Sequence, residues 1–247
     1  MSLRPSGWSR PRSVPHHSVV SHVTLHVWRV PPARLGALLW RVARDRGRLR
    51  ALPGARFAKV LGTGRGFTPG AVDATRWAVL TAWRSRSDAA GFELGTVARA
   101  WRRIAVAECR LDLAPLASRG TWAGQQPFEP DGPAAIGGAV VAVTRARLRP
   151  VRAVRFWRAV RPVAGAVAGA DGLLATFGIG EAPLGWQGTV SVWRDAAALR
   201  EFAYRGEAHA RVVAATPAQR WYAEELFARF ALVEVAGDRS LIGWAGP

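Results

Sequence analysis

Apolar and β-branched residues alternate with polar ones from Val23 to Val30, the period of a half-buried strand. Pro31-Pro32 opens a helical pattern that runs to about Arg48, with Leu35, Leu38, Leu39 and Val42 along one face. Phe57 to Leu61 reads as a second strand, which leaves through a glycine-rich loop, Gly62-Thr-Gly-Arg-Gly-Phe-Thr-Pro69. Trp77 to Trp83 is a third strand. Asp88 is placed to cap a second helix reaching about Val106, and Leu111 to Leu116 is a fourth strand. The order β-α-β-β-α-β is that of the ferredoxin-like split unit.

The pattern then repeats. Val140 to Leu148 reads as a strand, and Pro150 starts a helix through about Val167. The strand Leu173 to Ile179 leads into the loop Gly180-Glu-Ala-Pro-Leu-Gly185, and Thr189 to Trp193 is the third strand. Asp195 is placed to cap the next helix, which carries His209 and is interrupted at Pro217. A further helical piece, Ala218 to Phe227, is expected before a last strand around Ala231 to Val235. Local matches support a duplication. Leu39-Trp40-Arg answers Phe156-Trp157-Arg, and Thr81-Ala-Trp83-Arg answers Ser191-Val-Trp193-Arg. The break in the repeat is in the second helix, where Trp101 of the first copy faces His209 of the second.

The expected organisation is a flexible basic leader (1–21), a first repeat (22–117), a Gly/Pro-rich linker (118–138) and a second repeat (139–247). Each repeat presents a four-stranded sheet with helices on one face, and the bare face must be covered. Two such units in one chain can cover each other, giving an α+β protein in the form of an intrachain dimeric α+β barrel. Cavities of that fold lie between sheet and helices and suit apolar ligands.

Composition agrees with a globular chain. Of 247 residues 49% are hydrophobic, enough for a sizeable core. The formal net charge is +18, which raises the question of nucleic acid. Lys59 is the single lysine among 35 basic residues, and the arginines are spread along both halves. That pattern looks like the coding bias of a GC-rich genome and argues against a nucleic-acid partner. From Met1 to Arg86 the only acids are Asp45 and Asp73, so the first half is the more basic and could meet an anionic membrane surface or an acidic redox partner. One cysteine, Cys109, excludes an intramolecular disulfide and Cys-rich metal sites, and the simplest reading is a cytoplasmic protein with Cys109 as a small packed residue. The leader lacks the apolar stretch of a signal peptide, and no window is long and apolar enough for a transmembrane helix.

Candidate chemistry is sparse. Gly62-Thr-Gly-Arg-Gly is followed by Pro69-Gly70 and a strand, which is not the context of a dinucleotide fingerprint. Walker and Gly-x-Ser-x-Gly motifs are absent from the sequence. Asp112, Asp171, Glu181 and Glu224-Glu225 are isolated carboxylates, the last pair read as a solvated or salt-bridged face near a helix end. His16 and His17 fall in the leader. His22 and His26 share one strand face but stand about 13 Å apart, too far to share one metal. His209, in Tyr204-Arg-Gly-Glu-Ala-His209, is either a half-buried helical histidine or an axial haem ligand. The 12 tryptophans are mostly core anchors, with Trp83 and Trp193 at equivalent strand ends.

Five segments taken together carry a resemblance. They are Lys59-Val-Leu-Gly-Thr-Gly-Arg-Gly-Phe-Thr-Pro69, Arg119-Gly-Thr-Trp122-Ala-Gly-Gln-Gln-Pro127-Phe, Phe156-Trp-Arg-Ala-Val160, Gly178-Ile-Gly-Glu-Ala-Pro-Leu184 and Glu224-Glu-Leu-Phe-Ala-Arg-Phe230. In this order they resemble the spheroidene monooxygenase family, from about Val23 to Trp244. The resemblance implies haem b, O₂ and a ferredoxin-type electron donor, with a carotenoid or similar long apolar molecule as substrate and possible peripheral membrane contact. The second repeat also resembles small haem-degrading monooxygenases of the dimeric α+β barrel superfamily. In those proteins a strand ending in Trp precedes a helix with an Ala-His pair on haem iron. Trp193 and Ala208-His209 match those elements, so His209 is the expected iron ligand, with Trp193 and Phe202 beside the cofactor. Strand and helix positions point to Arg145, Phe202 and Tyr204 for the distal side. The alternatives are a cofactor-free monooxygenase of quinol-like substrates on the same fold and a non-catalytic binder of haem or an apolar ligand.

Overall fold

A computed structural model describes residues 22–66, 71–130, 137–149, 167, 169–181, 186–205 and 222–244, without the side chains of Leu148, Trp186, Gln187, Tyr204 and Arg205. Its strands are β1 (His22–Arg29), β2 (Ala55–Gly64), β3 (Val72–Trp83), β4 (Ala107–Gly120), β5 (Val140–Leu148), β6 (Leu173–Gly180), β7 (Trp186–Trp193) and β8 (Tyr222–Gly237). Its helices are α1 (Leu35–Arg50), α2 (Arg86–Glu93), α3 (Thr96–Ile104) and α4 (Ala196–Arg205). The strands form one closed antiparallel barrel in the order β1-β3-β2-β6-β7-β5-β8-β4. This is the expected α+β architecture: two four-stranded ferredoxin-like sheets joined at both edges.

The two seams differ. On one side β4 and β8 pair from Cys109↔Gly237 to Gly120↔Leu226. On the other, β2 and β6 meet over three pairs, Gly62↔Gly180, Thr63↔Ile179 and Gly64↔Gly178. The glycine runs that look like a nucleotide loop in the sequence therefore serve barrel closure. A Cβ on Gly178 would lie 2.5 Å from the backbone oxygen of Gly66.

Strand alternation divides the side chains between two layers. Inward-facing Val23, Leu25, Val27, Leu80, Leu111, Val141, Val143, Phe177, Val190 and Phe230 fill the barrel, as an eight-stranded barrel permits. Cys109 is fully buried there, and burial pushes its thiol up to about 12, so it packs rather than reacts. The outward face of the first sheet carries Trp28, Val60, Val79 and Trp83, covered by Leu38, Val42 and Leu49 of α1, Phe92 of α2 and Trp101 of α3. Trp101 stacks on Trp28 with ring centroids 5.1 Å apart.

Three expectations are corrected. Ser85, not Asp88, caps α2: its backbone is extended and its hydroxyl accepts from the Asp88 amide at 3.1 Å. The helix expected to reach Val106 is two helices, because Gly95 adopts extended geometry between them. Residues 222–227, expected in a helix, begin β8; pairing with both β4 and β5 overrides their helical pattern. The helices expected at 150–167 and beyond Arg205 fall almost wholly outside the described residues.

Gly178→Ala should cost about 1–3 kcal/mol, since the obstructing atom is backbone and the seam is short. Gly36→Ala on α1, where nothing lies within 4 Å, should be neutral or stabilising. Urea denaturation of the two variants checks the contrast.

Candidate functional site

At one end of the barrel the inward positions change from apolar to charged. Lys59 interrupts the core positions Phe57 and Leu61 on β2, Arg145 follows Val143 on β5, Glu181 follows Ile179 at the end of β6, and Glu224 precedes Leu226 on β8. Arg145 donates to Glu181 at 3.0 Å and to Glu224. Lys59 donates to the other Glu181 oxygen at 2.7 Å, and the Trp122 indole N–H donates to Glu181 at 2.6 Å. Glu224 also accepts from the Gly124 amide at 2.7 Å and the Thr121 hydroxyl at 3.2 Å. Burial works against ionised Glu224, but the Gly124 amide and the Arg145 guanidinium outweigh it and hold the carboxyl at about 2. Two cations and two carboxylates balance. They anchor the segment after β4, whose Trp122 and Phe128 drop into the barrel against Phe57 and Phe230. The barrel interior is thus closed by rings and neutralised charge.

A second polar cluster lies in the helix layer of the first half. His26 is fully buried on β1, with Nε2 3.0 Å from Glu93 of α2 and Nδ1 3.3 Å from Glu108 of β4. Arg102 of α3 donates to Glu108 at 2.7 Å and also pairs with Glu93. Burial lowers the His26 pKa, but the two carboxylates more than compensate and the net direction is upward. Glu108 is held at about 2 despite its own burial, chiefly by His26 and Arg102. The ligand atoms of His26, Glu93 and Glu108 lie within 4.8 Å of one another, a spacing that admits a metal ion. However, protonated His26 and Arg102 already neutralise both carboxylates, and a metal would have to displace them. We read the cluster as an ion-paired clamp between sheet and helices. His22 is bound separately, 3.1 Å from Asp112, so the two histidines do not converge. The sequence could not reveal the clamp, because its carboxylates come from α2 and β4.

Strand register aligns the two halves residue by residue. His22 pairs with Trp83 and Val140 with Trp193, so Thr24, His26 and Trp28 of β1 correspond to Ala142, Thr144 and Ala146 of β5. Val79 of β3 likewise corresponds to Thr189 of β7. Where the first half places an imidazole and an indole, stacked 5.0 Å apart, the second places a threonine and an alanine. Thr144 and Thr189 bond each other at 2.6 Å, one hydroxyl donating to the other. The second outer face is therefore cut back by two large rings.

Trp193 is buried and tilts on Phe202 at 5.1 Å, as Trp83 does on Phe92 at 5.5 Å. This contact is common to both halves and anchors α4, whose N-terminus Asp195 caps through the Ala198 amide at 2.8 Å. Arg145, expected on a distal face, instead points into the barrel and holds Glu181 and Glu224. Glu224, expected near a helix end, is a strand residue in that same network. Tyr204 lies in the last turn of α4; its side chain and His209 fall outside the described residues. Lys59, Trp122, Glu181 and Glu224 were each visible in a quoted segment, but only the fold brings those segments together.

No family model matches the chain. It is 37% identical over 191 residues to spheroidene monooxygenase of Rhodobacter capsulatus, covering 75% of this chain and 79% of that protein. It is 32% identical to the Cereibacter sphaeroides enzyme over 87% of this chain and 68% of that one, and 36% identical to the Rubrivivax gelatinosus enzyme over 75% and 72%. The chain belongs to the spheroidene monooxygenase family. It is accordingly a monooxygenase. Two solved aldoxime dehydratases share the fold, with TM-scores of 0.57 and 0.55 at 11% and 10% identity; they cover 87% of this chain, and the match spans 82% and 80% of theirs.

Four of the five segments that resemble this family converge on the Lys59–Trp122–Glu181–Glu224 network around Arg145. Arg145→Met should destabilise by about 2–3 kcal/mol by removing the cation from Glu224 and one of two from Glu181, and adding Glu224→Gln should recover part of that loss. Urea midpoints of the single and double variants measure it. The His26 clamp predicts a pH dependence. Its pKa is raised, so its contribution is fully present below the ordinary value of 6.5 and is lost as pH rises through the folded value. Glu108 is depressed, so its contribution is present above 4.5 and is lost as pH falls toward about 2. Stability measured against pH should fall on both sides, and His26→Gln should flatten the alkaline limb.

Proposed function

We propose that this chain is a haem-dependent monooxygenase that inserts oxygen into an acyclic carotenoid or a similar long apolar molecule, using O₂ and electrons from a ferredoxin-type donor. The observation that carries the reading is the exchange of His26 and Trp28 for Thr144 and Ala146 at register-equivalent positions. The barrel interior is filled and the helix layer of the first half is stacked solid. The outer face of the second sheet carries smaller side chains at these positions, a surface that suits a planar macrocycle.

The residues there fit such a group. Val140, Trp193 and Phe202 supply an apolar end wall. The hydroxyls of Thr144 and Thr189 bond each other, which leaves one O–H free to donate on this face. His209 follows α4, which covers this face, and would provide an imidazole for the iron. Haem, when bound, supplies the O₂ activation that ordinary side chains lack. The chain's own part would be to hold the group beside Val140, Trp193 and Phe202, to exclude water with the Trp193–Phe202 wall, and to offer the long substrate an apolar surface. The names and sequences of the relatives support the carotenoid-type substrate.

Purified protein should show a Soret band that is lost or shifted in His209→Ala. Ala146→Trp, which restores the first-half ring, should abolish haem retention while leaving the fold intact by circular dichroism. Haem-free protein that still oxygenates substrate would overturn the reading in favour of cofactor-free chemistry. A Soret band without oxygenated product in the presence of reductant and O₂ would leave a binding protein.

A further inference from the structure

The outward face of α1 is unlike an ordinary solvated helix surface. Leu38, Val42, Asp45 and Leu49 bury the inner face. On the opposite side Leu39 and Trp40 are 61% and 50% exposed. At 100° per residue, Gly36, Trp40, Ala43 and Gly47 form one stripe with Leu39 at its edge. Arg46 and Arg50 flank the stripe on one side, and Arg44 and Arg48 on the other. All four arginines are exposed, and the helix's single acid, Asp45, is buried on the inner face. The Arg41 and Arg44 guanidiniums sit over the Trp40 ring, 4.4 and 4.5 Å from its centroid. Beside the stripe opens a recess of about 220 Å³ bordered by Arg46, Arg50, Lys59 and Glu181, in which Lys59 is paired with Glu181 and the two arginines supply the excess positive charge.

We infer that α1 is a docking face for an anionic lipid surface. An apolar stripe directed away from the protein is costly in water, and one flanked by cations along its length matches the interfacial arrangement. In that arrangement Trp and Leu enter the acyl boundary while arginines reach phosphate headgroups. Charge complementarity selects the occupant, because the exposed part of α1 has cations on both sides and no carboxylate. Among the described residues no helix is long and apolar enough to cross a membrane, so the contact is peripheral. The inference stands on the shape and charge of α1 and not on the proposed substrate.

The test is co-sedimentation of the full chain with vesicles of phosphatidylcholine alone and with added phosphatidylglycerol. Wild-type protein should bind the anionic vesicles preferentially. Leu39→Ser/Trp40→Ser should weaken that binding about tenfold or more, and Arg44→Glu/Arg48→Glu should do the same. All four positions are exposed, so both variants should keep the wild-type circular dichroism spectrum and melting temperature. Failure of wild type to bind, equal binding to neutral vesicles, or unchanged binding by Leu39→Ser/Trp40→Ser would overturn the inference. Self-association that this variant abolishes, in the absence of vesicle binding, would also overturn it by assigning the face to a second copy of the chain.

Discussion

Barrel closure is the constraint on which the rest of the structure depends. A four-stranded ferredoxin-like sheet has two unpaired edges and one bare apolar face, and it cannot stand alone in water. Here one chain supplies both sheets, and closure at β4–β8 and β2–β6 removes every free edge. The long seam is a run of ordinary antiparallel pairing. The short one demands glycine, because the β6 backbone passes too close to the chain after β2 to admit a side chain at Gly178.

Fusion into one chain has a second consequence. In an assembly of identical units both halves must serve packing and chemistry alike. Once the halves are separate stretches of one sequence they can diverge, and here they have. The first fills its helix layer with the stack His26–Trp28–Trp101 and ties it down with Glu93, Glu108 and Arg102. The second keeps the Trp193–Phe202 anchor and withdraws the rings behind it.

Much of this was legible in the sequence, and the exceptions have physical causes. The period-2 runs and the repeated Thr-Ala-Trp83 and Ser-Val-Trp193 strand ends disclose the duplicated unit, because alternation reports directly which face is buried. Tyr222 to Phe227 has a helical pattern yet begins β8, because two flanking strands, not local preference, decide its state. Strand position singles out Arg145, but its partners Glu181 and Glu224 come from β6 and β8 and are not readable from that position. The convergence of Lys59, Trp122, Glu181 and Glu224 is a tertiary fact that no spacing along the chain encodes. The exchange of His26 for Thr144 was equally hidden. It needs the pairing registers of both halves, which place His22 and Val140 opposite equivalent tryptophans.

The proposed haem would lie over the outer face of the second sheet. An anomalous difference map collected at the iron edge from crystals of the purified protein tests it most directly. A single iron peak is expected over the outer face of β5 and β7, beside Thr144 and Ala146. A peak inside the barrel or at His26, Glu93 and Glu108, or no iron in protein that is active, would contradict it.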